Sequence, residues 1–252
     1  MILRRAAEHL KQQHWTAFTI ELVIVVLGVF MGMQVSNWND ALRDRAREQA
    51  YLEGIAADLD ESIVSIQKSI DLSKDRIALD KLLIKAETDP DVVRADPVRF
   101  IYAITRGGYT HAPAIRVYTF ETIKSTGDLN IIRDKQLVCD LMKFYATVQD
   151  QSQWGPFRAF CQNEYVRRSA GVLTAQQLLA TESGSGTLPS ANMEEAMAAY
   201  RRMLARPEFI EWVPTTLSNR SVDLRFNSGW LADGKALRVR VLVQPGAHAE
   251  SQ

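Results

Sequence analysis

The chain has 252 residues, with thirty Lys/Arg set against thirty Asp/Glu and so no net charge. That balance argues against nucleic-acid binding, which calls for a basic patch. A hydrophobic content of 46% is ordinary for a globular fold, and Gly and Pro are sparse until late in the chain, which favours helix over a many-turned β fold.

Residues 1–14 read as a short cytoplasmic tail carrying Arg4, Arg5 and Lys11. The stretch Trp15 to Val35, WTAFTIELVIVVLGVFMGMQV, reads as a membrane span. As a helix it rises roughly 31 Å, the thickness of a bilayer's hydrocarbon core. Phe18, Ile20, Leu22–Leu27, Val29, Phe30 and Val35 together favour insertion by about 5 kcal/mol. Glu21 opposes them by at most ~3 kcal/mol, and by less because it lies off-centre. A cleaved signal peptide is the alternative, but the apolar part is long and the exit Gln34-Val35-Ser36-Asn37-Trp38 has no small-residue cleavage site. Trp15, Asn37, Trp38 and Asn39 are candidate interface anchors, which sets the span with its borders at 15–38.

The Lys/Arg count is even across the span, with Arg43, Arg45 and Arg47 on the far side. Long domains translocate regardless of charge, so the main domain is expected outside the cytoplasm with the amino terminus inside. Ala17, Glu21, Gly28, Gly32 and Val35 fall near one stripe of the helix. Gly28-x-x-x-Gly32 is a pattern that admits close approach of another helix, and Glu21 would face that partner. The plainer alternative is that glycine is simply frequent in such helices and that Glu21 snorkels to the interface.

Residues 39–244 are expected to form an α-helical bundle, and 245–252 a disordered tail. Residues 40–88 read as one long helix leaving the membrane. Leu52, Ala56, Leu59, Ile63, Ile66, Ile70, Ile77 and Ile84 keep a heptad-like seam that Ser73 and Asp80 interrupt. The seam packs either on the chain's own domain or on a second copy, and its imperfection favours the former. Asp58, Asp60 and Glu61 read as a solvated face.

Pro90 ends the long helix. Asp96-Pro97 opens a short helix as N-cap and first-turn proline, and Gly107-Gly108 stops it. Val117–Ser125 is a further helix closed by Gly127. Asp134 caps a helix to Gln153 with Leu137, Val138, Leu141, Phe144, Tyr145 and Val148 on one face. Pro156–Ala180 follows, carrying Phe157, Phe160, Tyr165 and Val166. Thr181–Ser190 is a Gly/Ser loop. Asn192 caps a helix through Leu204, and Pro207–Leu231 is helical with a possible break at Pro214. Ala236–Gln244 is open between strand and helix.

Chemical motifs are scarce. His9, His14, His111 and His248 form no metal spacing, and there is no H-E-x-x-H, C-x-x-C, nucleophile elbow, P-loop or dinucleotide fingerprint. No enzyme activity, metal or cofactor is expected. Cys139 and Cys161 would sit about eight residues, ~12 Å, out of register in a helical hairpin, so two free, mostly buried thiols are expected. Tyr109, His111, Arg116 and Tyr118 mark a possible ligand loop. Asn219-Arg220-Ser221 has the form of a glycosylation sequon but falls within an expected helix.

The run Glu21-Leu22-Val23-Ile24-Val25-Val26-Leu27-Gly28-Val29, then Gln34-Val35-Ser36-Asn37-Trp38-Asn39-Asp40, resembles the signature of a family of uncharacterised bacterial single-span membrane proteins. Tyr51-Leu52-Glu53, Asp58-Leu59-Asp60 and Tyr118–Leu129 extend the resemblance, which is specific over residues 18–62, weaker over 117–150 and absent beyond 180. It implies a bacterial source and inner-membrane anchoring, and no activity. The expected role is a non-catalytic accessory protein that packs against a membrane-protein partner, or another copy of itself, through its span. The alternative is a sensor-like ligand-binding helical module outside the cytoplasm that acts through a partner.

Overall fold

The structure, a computed structural model, describes residues 2–152, 154–182 and 191–243, and side chains over 19–150, 154–179 and 191–243. Among the described residues every regular element is helical and none is a strand. The first helix, α1 (Ile2–Ala86), runs 85 residues without a break. No proline or glycine pair interrupts its apolar-then-amphipathic sequence, so nothing in it calls for a kink.

The two halves of α1 live in different surroundings. Residues 19–46 are exposed throughout. Their most apolar 18-residue window has a mean hydropathy of 1.9 with none of it buried, so by length and composition this half is able to cross a membrane. From residue 47 onward the helix becomes the spine of a bundle. Around it stand α2 (Asp91–Ala95), α3 (Pro97–Arg106), α4 (Tyr118–Thr126), α5 (Lys135–Ser152), α6 (Gly155–Ser169), α7 (Ala175–Glu182), α8 (Met193–Leu204), α9 (Pro207–Ile210) and α10 (Val213–Val243). The tail 245–252 and most of the Gly/Ser loop, 183–190, lie outside the described residues, while Thr181 and Glu182 of that loop extend α7.

The long partner of the spine is α10, which lies antiparallel to it. Arg238 pairs with Asp60, and Arg220 with Asp80. Buried positions in α10 recur as Val213, Thr216, Arg220, Asn227, Trp230, Gly234, Leu237 and Val241, the 3-4 spacing of an interhelical seam. The matching stripe on α1 is Leu52, Ile55, Leu59, Ser62, Ile66, Ser69, Ser73, Asp80 and Leu83. The chain's own domain therefore covers this half of the helix. Ser73 and Asp80, expected to interrupt the seam, are among its buried members, whereas Ile77 and Ile84 are only half-buried.

Two apolar cores result. The one nearer the span joins Leu52, Ile55, Leu59 and Ile66 to Phe120, Ile123, Leu137, Leu141, Phe144, Trp230 and Leu237. The far one joins Leu79 and Leu83 to Phe100, Ile101, Tyr165, Tyr200, Met203 and Phe209. Between them lies a polar layer. Arg220 Nη1 donates to Asp80 Oδ2 at 2.5 Å and to the Arg76 carbonyl at 3.2 Å. Thr216 hydrogen-bonds Asp80, and Ser69, Ser73 and Asn227 are further buried polar residues of the two facing helices. Burial pushes the Asp80 carboxyl up to about 7, against the pull of Arg220.

Several caps form as expected. The Asp96 side chain accepts from the Arg99 N–H at 2.8 Å, and that of Asp134 from the Leu137 N–H at 2.8 Å. Asn192 and Glu195 complete a reciprocal capping box. Gly127 closes α4 at φ 79°, a left-handed conformation that glycine adopts without strain.

Other expectations need correction. The helix expected over Pro156–Ala180 is two helices, because Gly171 turns the chain at φ 80°. Within α6 the buried side chains are Cys161 and Tyr165, four apart on one face, while Phe157, Phe160 and Val166 are exposed. The Gly107-Gly108 stop has a packing reason as well: a Cβ at Gly108 would stand 2.3 Å from the Tyr165 ring, whose hydroxyl donates to the Ala103 and Ile104 carbonyls. The break near Pro214 falls just before it, and Pro214 sits in the first turn of α10, where a missing N–H costs no helical bond. Ala236–Val243 is helix, since its alternating Arg and Val side chains still place Leu237 and Val241 four apart on the core face. Both thiols are free, but only Cys161 is buried and Cys139 is exposed.

Candidate functional sites

The apolar half of α1 presents its polar, small-residue stripe to the outside. Glu21, Gly28, Gly32 and Val35 are all exposed, and a Cβ built on Gly28 or Gly32 would meet nothing within 4 Å. No described part of the chain fills that notch. Asn37, Trp38 and Asn39 are exposed at its far end, with Trp38 at 67%. Trp15 and Ala17 belong to α1, but their side chains lie outside the described residues.

Between Trp38 and Arg47 the helix travels roughly 14 Å without packing on any described part of the chain. The bundle then clasps it with a collar. Asp128 accepts from Arg47 at 2.5 Å and from the Tyr51 hydroxyl at 2.6 Å, and Glu48 accepts from the Arg133 N–H at 2.6 Å. The Tyr51 hydrogen bond, and after it Arg47, hold the Asp128 carboxyl below its usual value.

The acidic cluster Asp58, Asp60 and Glu61 is not merely a solvated face. The Thr119 N–H donates to Asp58 Oδ2 at 2.8 Å, which caps α4 from a neighbouring helix. Asp60 holds Arg238 of α10, and Glu61 accepts from Arg116 Nε at 2.7 Å. Ser62 and Ser65 accept from the Arg116 and Ala114 N–H groups at 2.9 and 2.8 Å. These contacts strap the segment that precedes α4 along α1.

Arg116 is exposed, and so is Tyr118, the first residue of α4, at 79%. Pro113, Ile115 and Val117 instead line a cavity of about 320 Å³, closed by Ala112, Glu121, Tyr145, Val148, Gln149, Arg158 and Trp230. Of the four residues expected to make a ligand loop, none lines it. Tyr109 borders a separate cavity of about 340 Å³ with Arg106 and Tyr165, and stacks under the Arg106 guanidinium. His111 is exposed, its pKa lowered by partial burial and by Arg76 and Lys68. The strap thus contributes its apolar residues to the larger of its roles, the wall of the 320 Å³ cavity.

Tyr145 borders this cavity with its ring, and its hydroxyl is buried. It is 3% exposed, and its hydroxyl has no hydrogen-bond partner among the described residues. Phe120 stacks on its ring at 4.5 Å and Phe144 meets it edge-on at 5.3 Å, so the hydroxyl is held where it is. Leaving such a group unsatisfied costs about 1–3 kcal/mol. Burial, with Asp58 adding to it, pushes the phenol's pKa upward, so it stays protonated. Next to it, Arg158 is held by Asp223 through Nη2 at 2.8 Å.

Among the described residues no group of three or more His, Cys, Asp or Glu side chains stands close enough to hold a metal ion. Compared with protein-family models, with curated proteins and with solved structures, the chain finds no match.

Proposed function

We propose that this chain is a non-catalytic accessory protein of a bacterial inner membrane, which docks its single span on a membrane-protein partner or on a second copy of itself. The observation that carries this reading is the unfilled Gly28–Gly32 notch on a helix that continues unbroken into the bundle. Close helix approach in lipid gains from packing against small residues, and Glu21 on the same stripe gains a partner that spares it from hydrocarbon. Because the span and the spine are one helix, a partner gripping the span also orients the bundle. The bundle lies outside the cytoplasm in this reading, with residues 1–14 inside.

Two measurements test it. Gly28→Ile should abolish co-purification of stoichiometric membrane partners, or disulfide cross-linking between copies, while leaving the bundle's melting unchanged. A protein that is a lone monomer in native membranes would end the docking idea. Orientation is read from Cys139, the exposed thiol. An impermeant maleimide should label it from the outer face of the inner membrane, and labelling only after cell lysis would reverse the topology.

A further inference from the structure

We infer that the neck of α1 between the span and the bundle, residues 35–46, forms a short parallel two-stranded coiled coil with a second copy of this chain. This rests on the docking of the span and names its occupant. Along α1, Val25, Gly28, Gly32, Val35, Asn39, Leu42 and Ala46 follow one another at alternating steps of three and four, the spacing of an interhelical seam. The seam starts at the glycine notch and runs out of the apolar half into the neck. All of these residues are exposed, including Leu42 at 43%, an apolar side chain beyond the span.

The bundle leaves this side of the helix open. On a 3.6-residue helix the neck seam lies roughly 150° round from the buried stripe Leu52, Ile55, Leu59, Ser62 and Ile66. Arg47, Glu48 and Tyr51, which hold the collar, lie off the seam as well. The next residues along the open side, Ala50, Glu53 and Ala57, are exposed. Two copies joined along the neck therefore carry their bundles outward, away from each other.

What meets across the seam selects a second copy. Copies anchored by the same span point the same way, so each seam residue faces its own twin across a two-fold axis. From Val25 to Ala46 no seam position is charged, so no like charges are opposed. Asn39 carries donor and acceptor on one amide and can pair with itself, and a single Asn in such a seam fixes register and strand number. Beside the seam, exposed Trp38 comes next to the exposed Arg43 of the second copy, a cation–π pairing made twice by the symmetry. Glu21 lies one step below Val25, where like carboxylates spread the helices into a wedge open to the nearer membrane face.

The test uses the full chain carrying Cys139→Ser, reconstituted in liposomes at a high lipid-to-protein ratio. Oxidation should join Leu42→Cys and Ala46→Cys into covalent dimers and leave Asp40→Cys and Asp44→Cys, away from the seam, as monomers. Sedimentation in mild detergent should give a dimer for the wild type and a monomer for Leu42→Asp, while the bundle of that variant melts like the wild type. A monomeric wild type, equal cross-linking on both sides of the neck, or a Leu42→Asp protein that stays dimeric would overturn the inference. Its failure is distinct from that of span docking: a monomer that co-purifies with a different membrane protein, lost in Gly28→Ile, removes the second copy and keeps the docking.

Discussion

The two halves of α1 are one uninterrupted helix under opposite demands. Residues 19–46 show their side chains to the outside, and within the apolar run Leu22–Met33 only Gly28 and Gly32 depart from large apolar side chains. Residues 47–86 bury a stripe in which Ser62, Ser69, Ser73 and Asp80 alternate with Leu and Ile. Hydrophobicity thus runs opposite to burial along the helix. The more apolar half has no described part of the chain around it, and the half that contains a buried carboxylate forms the core. What decides burial here is whether another element supplies a matching partner, and α10 does so residue by residue.

The sharpest way to break this comparison is to remove that match. Asp80→Ala leaves the Arg220 guanidinium buried and uncompensated, and should destabilise the bundle by about 3–5 kcal/mol in urea unfolding. The double variant Asp80→Leu/Arg220→Met should recover most of the loss. A double variant no more stable than the single one would show that the pair does more than satisfy itself. Next in size, Leu59→Ala in the fully buried stripe should cost about 2–5 kcal/mol. Leu27→Ala in the exposed half should leave the unfolding of the bundle unchanged, and equal losses would mean that the two halves fold as one unit.

Acidity separates the cores from the collar. Asp80 has its folded-state value raised to about 7, so the folded state holds its proton more tightly than the unfolded chain does. Its contribution is complete below the ordinary carboxyl value and is lost as the pH rises through about 7, with a slope no steeper than about 1.4 kcal/mol per pH unit. Asp80→Asn should flatten that slope in melts between pH 5 and 8. Asp128 behaves in the opposite sense. Its value is lowered, so the stability it adds is present above the ordinary carboxyl value and is lost as the pH falls through the folded one. The smallest effect belongs to the collar: Tyr51→Phe should speed amide exchange around residues 44–51 with little change in global melting. Protection that persists in that variant would place the start of the covered half elsewhere.

Much of the local structure was legible beforehand. The long helix with its apolar first half, the caps at Asp96, Asp134 and Asn192 and the closing Gly127 all act within a few residues of themselves, so their signals survive in one dimension. The errors share a cause. The seam on α10 contains Thr216, Arg220, Asn227 and Gly234, and apolar periodicity does not find a stripe built from polar and small residues. Arg220 passed as the middle of a glycosylation sequon. Pro113, Ile115 and Val117 carry no local signal of a cavity wall, because that role depends on the pinning of this segment by Ser62 and Ser65 some fifty residues away.

The amino-acid sequence alone set the places where helices begin and end and the stretch that suits a bilayer, since turn chemistry and transfer from water depend on neighbours along the chain. Only the folded arrangement decided that a serine-and-aspartate stripe would be interior, that Tyr145 would be left with an unanswered hydroxyl, and that Pro113, Ile115 and Val117 would border a cavity. Each of those outcomes depends on which distant group lies opposite, and that is a property of packing, not of any segment taken by itself.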